Sequence, residues 1–380
     1  MLWVGLQLAG CATTVNEKTN KYYVCESEFK GEYNEARKQI SNGVYGKAIS
    51  LLHALEKEGY APAFYTLYEI NYAGHGVKVD KAKAFAYLNR AYMHQYPVAE
   101  YEMAEKMLKG EDVKQNSVEA IKILKDLAER NYGDSGQDHI FYRLKAKANV
   151  MVARVYYEGK YVEQDLKQAG EFGYVIGSLP PTQEYNIGRE LLGEAYFLYA
   201  KIMIAQVNAG LETSWDINVA FGHAQEMGVI EVDYEEGLLY LEEKNILWAA
   251  DSFGGGCYKG HGESCYMAGK LYEEEKVYKN GEKFNNAMDN PLFYASDYYV
   301  IGAKAGNSKC KYKLGEFYLK GKWYQDEKRM PKDIEKAKKW LTEASNEGVN
   351  EATELLRALD EKPIKTYQLC YKKGEKLGVN

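Results

Sequence analysis

Six cysteines and six histidines are the side chains of this 380-residue chain best suited to covalent or metal chemistry. The histidines are His53, His75, His94, His139, His223 and His261. None stands in a spacing such as H-x3-H with an acid nearby, so no zinc-type ligand set is offered. His75 and His261 sit beside glycines and read as solvated loop residues. His53 and His94 read as packing or surface groups on helices. No G-x-S-x-G elbow and no Gly-rich phosphate loop ending in Gly-Lys-Ser/Thr occurs. Acid pairs such as Glu235-Glu236 and Glu242-Glu243 read as a solvated face. The sequence therefore predicts a non-enzyme with no cofactor and no metal. The cysteines are Cys11, Cys25, Cys257, Cys265, Cys310 and Cys370. Cys257 and Cys265 flank the turn Gly260-His261-Gly262, which can bring two Cα atoms into bridging range. Spacing alone leaves a bridge and two buried thiols both open.

The elements that carry these residues follow from a repeat. Tyr60, Tyr96 and Tyr132 are each 36 residues apart. Between them Ala63 matches Ala99, Tyr65 matches Tyr101, Gly74 matches Gly110, Ala84 matches Ala120 and Leu88 matches Leu124. A fixed period of this size belongs to stacked helical hairpins. Ala63, Leu67 and Ile70 form one apolar stripe, predicting a helix over 61–73. Gly74-His75-Gly76 stops it, because glycine accepts the left-handed backbone past a C-cap. Asp80 stands where an N-cap acceptor is wanted. Small residues at Ala84 and Ala91 then let a second helix, over 81–94, lie close to the first. One hairpin cannot bury its apolar face alone, so neighbours must stack.

This pattern resembles the Sel-one-like repeat, a tetratricopeptide relative of the form A-x3-L-G-x2-Y-x2-G followed by K-A-x2-W-x3-A. One copy is Cys310, Leu314, Gly315, Tyr318 and Gly321, then Lys336, Ala337, Trp340 and Ala344. Another is Ala148, Val152, Ala153, Tyr156 and Gly159. Partial copies carry Leu192, Gly193 and Tyr196, and Ser264, Gly269 and Tyr272. The resemblance implies an all-α fold, a right-handed superhelical solenoid of about seven to nine hairpins. It also implies a non-catalytic scaffold that binds a protein or peptide on a curved repeat surface. Cysteine-rich secreted relatives staple consecutive helices with a disulfide, which implies a bridge between Cys257 and Cys265. Some of those relatives are linked to penicillin and peptidoglycan recognition, an alternative reading with an enzyme-associated role. Cys310 occupies the small-residue position of its helix and reads as a buried free thiol, with a Cys310–Cys370 bridge as the alternative.

Tyr65, Tyr101, Tyr266 and Tyr312 share one place, two residues after the small position. That place is a consensus tyrosine of the resembled repeat, so it reads as packing first and as an aromatic groove second. Four residues further along stand Glu69, Glu105, Lys270 and Glu316, and at the matching place of the Ala148 copy Arg154, all outside the consensus. Their charges differ from copy to copy, as suits a partner-binding face assembled from unlike repeats.

The N-terminal run ending Leu8-Ala9-Gly10-Cys11 resembles a bacterial lipoprotein signal with its lipobox. Small residues before the cysteine fit the peptidase, and the Cys11 thiol would take the lipid; two or more acyl chains give stable anchoring. Ala12 after the cysteine implies sorting to the periplasmic face of the outer membrane. The leader lacks Lys and Arg and is short, which places the natural start upstream of Met1. The alternative address is cytoplasmic, for an adaptor without lipid. The expected organisation is thus a signal remnant at 1–10, the lipidated cysteine and tether at 11–27, the repeat solenoid at 28–349 and capping helices at 350–380. With 49 basic and 55 acidic residues the net charge is -6 and spread along the chain. That excludes the basic face wanted by nucleic acid, and leaves the lipid anchor as the only membrane contact.

Overall fold

A computed structural model describes residues 22–130, 139–212, 216–274, 277, 290–322, 324–325 and 328–361. The chain divides into two compact units, Met1–Val229 and Ile230–Asn380, where the repeat pattern reads as one run.

In the first unit the helices are α1 (Tyr22–Ser41), α2 (Tyr45–Lys57), α3 (Ala61–Ala73), α4 (Lys81–Met93), α5 (Pro97–Lys109) and α6 (Ser117–Glu129). They continue with α7 (His139–Glu158), α8 (Leu166–Gly177), a short 3₁₀ turn with α9 (Glu184–Ile187), α10 (Arg189–Asn208) and α11 (Ile217–Glu226). Consecutive helices pair as α1/α2, α3/α4, α5/α6, α7/α8 and α10/α11. The second unit holds α12 (Val232–Glu242), α13 (Ile246–Tyr258), α14 (Gly262–Glu273), α15 (Pro291–Lys304), α16 (Ser308–Lys320), α17 (Ile334–Asn346) and α18 (Asn350–Glu361). Its pairs are α12/α13, α14/α15 and α16/α17, with α18 packed on α17. Each unit is an all-α solenoid of stacked helical hairpins. α1 begins at Tyr22, six residues inside the stretch read as tether. The polar insertion after Lys322 holds a two-stranded antiparallel ribbon, Tyr324–Gln325 with Lys328–Arg329, which no alternation in the sequence announced.

The repeat chemistry explains why each hairpin closes as it does. The small residue of the first helix is fully buried in five copies: Ala63, Ala99, Ala148, Ser264 and Cys310. So is its second-helix counterpart, at Ala84, Ala120, Ala169 and Ala337. A side chain larger than these would hold the helices apart, since interiors pack to crystal density. α3, α5 and α16 end on left-handed glycines, Gly74 (φ 77°), Gly110 (φ 71°) and Gly321 (φ 63°). The next helix then starts on an acceptor that satisfies an orphan N–H. Asp80 accepts from the N–H of Lys83 at 2.9 Å, Asn116 from Glu119 at 3.2 Å and Asp333 from Lys336 at 3.0 Å. Val77 and Val113 tuck partly under their loops against the core.

Candidate functional site

The first helix of each hairpin sets the five predicted contact residues on one register, six positions after the buried small residue. Glu69 on α3 is exposed. Glu105 on α5, Arg154 on α7 and Lys270 on α14 are half-buried, and Glu316 on α16 is buried, 9% exposed. The consensus tyrosines Tyr65, Tyr101, Tyr266 and Tyr312 are each half-buried.

In the first unit these groups gather into a band across α1, α3, α5 and α7. Tyr65 packs at a tilt against Tyr68 (5.5 Å between centroids) and Tyr96 (5.8 Å), and Tyr68 against Tyr72 (5.6 Å). The Tyr33 and Thr66 hydroxyls share a hydrogen bond of 2.9 Å, tying α1 to α3. Tyr68 donates its hydroxyl to Glu102 at 2.7 Å, tying α3 to α5. Glu69, Glu102 and Glu105 all act electrostatically on the Tyr65 phenol. Burial, then these three carboxylates, pushes that phenol well above its usual range.

Glu69 and Glu105 themselves are lifted above the ordinary glutamate value. Crowding by the neighbouring helices is the main cause for both; Arg37 offsets it for Glu69, and Lys109 and Lys147 for Glu105, while Glu102 adds repulsion to each. Among the described residues neither has a cation within the 4.0 Å of an ion pair.

The same register in the second unit is closed by its own charges. Lys313 reaches Glu273 at 3.2 Å and Glu316 at 3.1 Å, and Lys320 reaches Glu316 at 2.9 Å. Burial would raise Glu316, but Lys313 and Lys320 overcome it and hold the carboxyl below its usual range. Tyr299 donates to Glu273 at 2.8 Å. Lys270 lies 4.0 Å from Glu274. In the first unit, Arg154 on α7 likewise pairs with Glu194 and reaches Glu158. The five positions therefore share a register but not an availability: Glu69 and Glu105 are open, while Glu316 is spent inside the scaffold.

Cys257 at the end of α13 and Cys265 in the first turn of α14 are joined by a disulfide, with Cα atoms 4.4 Å apart. Cys310 is a buried free thiol, and burial raises its pKa far above the usual value. Cys11 and Cys370 lie outside the described residues. His261 is not the solvated loop group its neighbours suggested. It caps α14, accepting from the N–H of Ser264 at 3.3 Å, and sits 5.3 Å from the Tyr234 ring. A cap of this kind is invisible in a sequence because histidine is not a usual N-cap residue. The exposed ring of His75 stacks on Tyr45. His53 pairs with Glu56, and His94 packs on Phe64. Asp233, buried against Lys259 at 2.7 Å, is a second structural ion pair that reading along one helix did not reveal.

Among the described residues no group of three or more His, Cys, Asp and Glu side chains is placed to hold a metal, and no helix is long and apolar enough to cross a membrane. A surface recess at the α7–α8 turn, lined by Tyr156, Asp165, Leu166 and Leu211, includes none of the band residues.

The Sel1 repeat model matches residues 69–96, 97–132, 146–172 and 308–349. No curated protein sequence matches the chain. A Sel1 repeat protein from Oxalobacter formigenes has a similar crystal structure, with a TM-score of 0.61 at 18% identity over 88% of both chains. At that identity the likeness speaks for the fold alone. The protective antigen c5321 of uropathogenic Escherichia coli, which displays an SLR fold, gives 0.36 at 19% identity over 87% of this chain and 81% of that one. Immunity protein Pa5087 of Pseudomonas aeruginosa gives 0.33 at 17% identity over 66% and 81%. These two superpose too loosely to bear on the argument. Four segments of this chain, set on hairpins closed by buried alanines and left-handed glycines, are Sel1 repeats.

Proposed function

We propose that the protein is a lipid-anchored scaffold of the bacterial envelope that captures a segment of a protein partner on the first-helix face of its hairpins. Repeat scaffolds of this kind bind proteins through a pre-formed surface, so little ordering free energy is lost on association. The observation that carries the reading is the band on α3 and α5, where half-buried tyrosines stand beside carboxylates left without ion pairs. A scaffold with no binding task would gain by pairing or removing such charges. The disulfide between Cys257 and Cys265 supports an oxidising address, since structural disulfides are rare in reducing compartments. Together with Leu8-Ala9-Gly10-Cys11 it favours the periplasmic side of the outer membrane.

Two measurements test this. A photo-crosslinking residue placed at Tyr65 or Tyr101 in cells should yield discrete adducts, and one at the exposed Lys122 on α6 should not. Equal labelling at all three positions would remove the binding face. Cys11→Ala should abolish acyl labelling and release the protein from membranes; unchanged retention would remove the anchor.

A further inference from the structure

We propose that the α3–α5–α7 face of the first unit docks its partner by seating one lysine or arginine side chain among Tyr65, Tyr101, Glu69, Glu102 and Glu105. This rests on the reading of that face as a protein-binding surface and names the chemistry it takes.

Three observations converge. The face combines tyrosine rings with carboxylates, and a cation is the one group that gains from both a ring's π-face and a carboxylate. A guanidinium stacks on a tyrosine ring while its fork engages carboxylates, and an ammonium does so as a point charge. Next, the cations already near the band close no ion pair with Glu69, Glu102 or Glu105 among the described residues. Arg37 from α1 hydrogen-bonds Tyr33. Lys106 pairs with Asp112 at 2.9 Å. Lys147 from α7 lies 5.8 Å from the centre of the Tyr101 ring. Lys109 and His75 act on Glu105 and Glu69 only at longer range than an ion pair.

The last observation comes from the molecule's own second unit. Three residues after the buried small residue, α16 carries Lys313, whose ammonium sits between Glu273 and Glu316. At that register α5 carries Glu102, a carboxylate where the other unit has an ammonium. The second unit thus supplies internally the kind of group that the first unit leaves to be brought from outside. Charge complementarity of this sort sets specificity and encounter rate more than raw affinity. The occupant it selects is an exposed or extended basic segment of a protein partner.

The test uses the full chain and fluorescence anisotropy with three labelled decapeptides of Gly, Ser and Ala, differing at two central positions: Arg-Arg, Gln-Gln or Glu-Glu. The Arg-Arg peptide should bind about tenfold or more tightly than the Gln-Gln peptide, and raising salt should weaken it. Glu69→Gln with Glu105→Gln should cost about tenfold in that affinity, and Glu102→Lys should abolish the preference or turn it toward the Glu-Glu peptide. Glu335→Gln, an exposed charge at the start of α17, should change nothing. Circular dichroism of each variant shows that its helices are intact. No binding of the Arg-Arg peptide below millimolar concentration, equal binding of all three peptides, or indifference to Glu102→Lys overturns the proposal. Crosslinks at Tyr101 to a partner segment without Lys or Arg would leave the protein-binding face standing and remove the cation. An absence of discrete adducts at both Tyr65 and Tyr101 would remove the face and the cation together.

Discussion

α5 in the first unit and α16 in the second are written on one template, with the small residue at Ala99 or Cys310, the tyrosine at Tyr101 or Tyr312, and a left-handed glycine at Gly110 or Gly321. They differ in how their charges are completed. On α16, Lys313, Glu316 and Lys320 form a half-to-fully buried network that reaches Glu273 on α14. On α5, Glu102 accepts from a tyrosine and Glu105 has no ion pair within the described residues. The second unit also has a covalent staple between α13 and α14. A repeat fold can therefore close one register with its own charges in one region and leave it open in another. The choice costs nothing in architecture, because the helix-closing residues are separate from the face residues.

The sharpest way to break the comparison is to open the second unit as the first is open. Lys313→Met leaves Glu273 and Glu316 without their shared cation in a site where the Lys313 side chain is only 19% exposed. Removing one partner of a buried pair leaves an uncompensated charge, and the expected loss is about 3 kcal/mol. Urea unfolding should show it, and hydrogen exchange should rise on α14 and α16. A loss under about 0.5 kcal/mol, the scale of an exposed pair, would mean that the network is ornamental and the two faces are energetically alike.

A slightly smaller effect attends the staple. The loop between Cys257 and Cys265 is short, so the chain-entropy model gives about 2.5 kcal/mol. In a stack of repeats, stability is a sum of local and neighbour terms. Reduction should therefore loosen α13 and α14 and leave α3 and α5 unmoved. The Cys310 thiol touches the same spot: a Cβ added at Gly302 would lie 2.4 Å from Cys310 Sγ and 2.7 Å from Cys265 Cβ. Burial keeps that thiol protonated and a poor nucleophile, so peptide mapping after mild reduction and reoxidation should return the Cys257–Cys265 link and no Cys265–Cys310 link. Exchange spread evenly over the first unit would contradict a local staple.

How much of this was readable beforehand depends on the range of the interaction. The helices, the buried alanines at Ala63 and Ala99, the glycine stops and the Asp80 cap are local, and their periodicity exposes them. The register shared by Glu69, Glu105 and Glu316 was readable for the same reason. Their unlike fates were not. Whether a glutamate is open or paired depends on what the neighbouring hairpin presents across the gap: Glu273 and Lys313 are forty residues apart in the chain yet in contact. The pairing of Asp233 with Lys259 and the capping by His261 were hidden because they too join residues through turns or unusual chemistry. The ribbon at Tyr324–Arg329 is too short for any alternation to signal.

The smallest expected effect is also the one that separates the two faces most cleanly, because it has opposite signs in them. Glu69 and Glu105 have folded-state pKa values raised above the ordinary 4.5. For a carboxyl raised on folding, the folded state binds protons more readily than the unfolded one, so its charge costs stability at neutral pH and the cost fades as pH falls toward 4.5. Glu316 is lowered from the same 4.5. Its contribution is fully present above the unfolded value and is lost only as pH falls below it, through the folded value. Glu69→Gln with Glu105→Gln should accordingly stabilise at pH near 7 by about 0.5 kcal/mol, the scale of repulsion between exposed like charges on helices. That gain should vanish as the pH approaches 4. Glu316→Gln should destabilise at neutral pH, and its deficit should persist to lower pH than the gain of the double variant. Urea midpoints measured for both variants between about pH 7 and pH 4 decide the matter. If the double variant is less stable than the parent at neutral pH, the two carboxylates are structural, and α5 and α16 differ in sequence without differing in purpose.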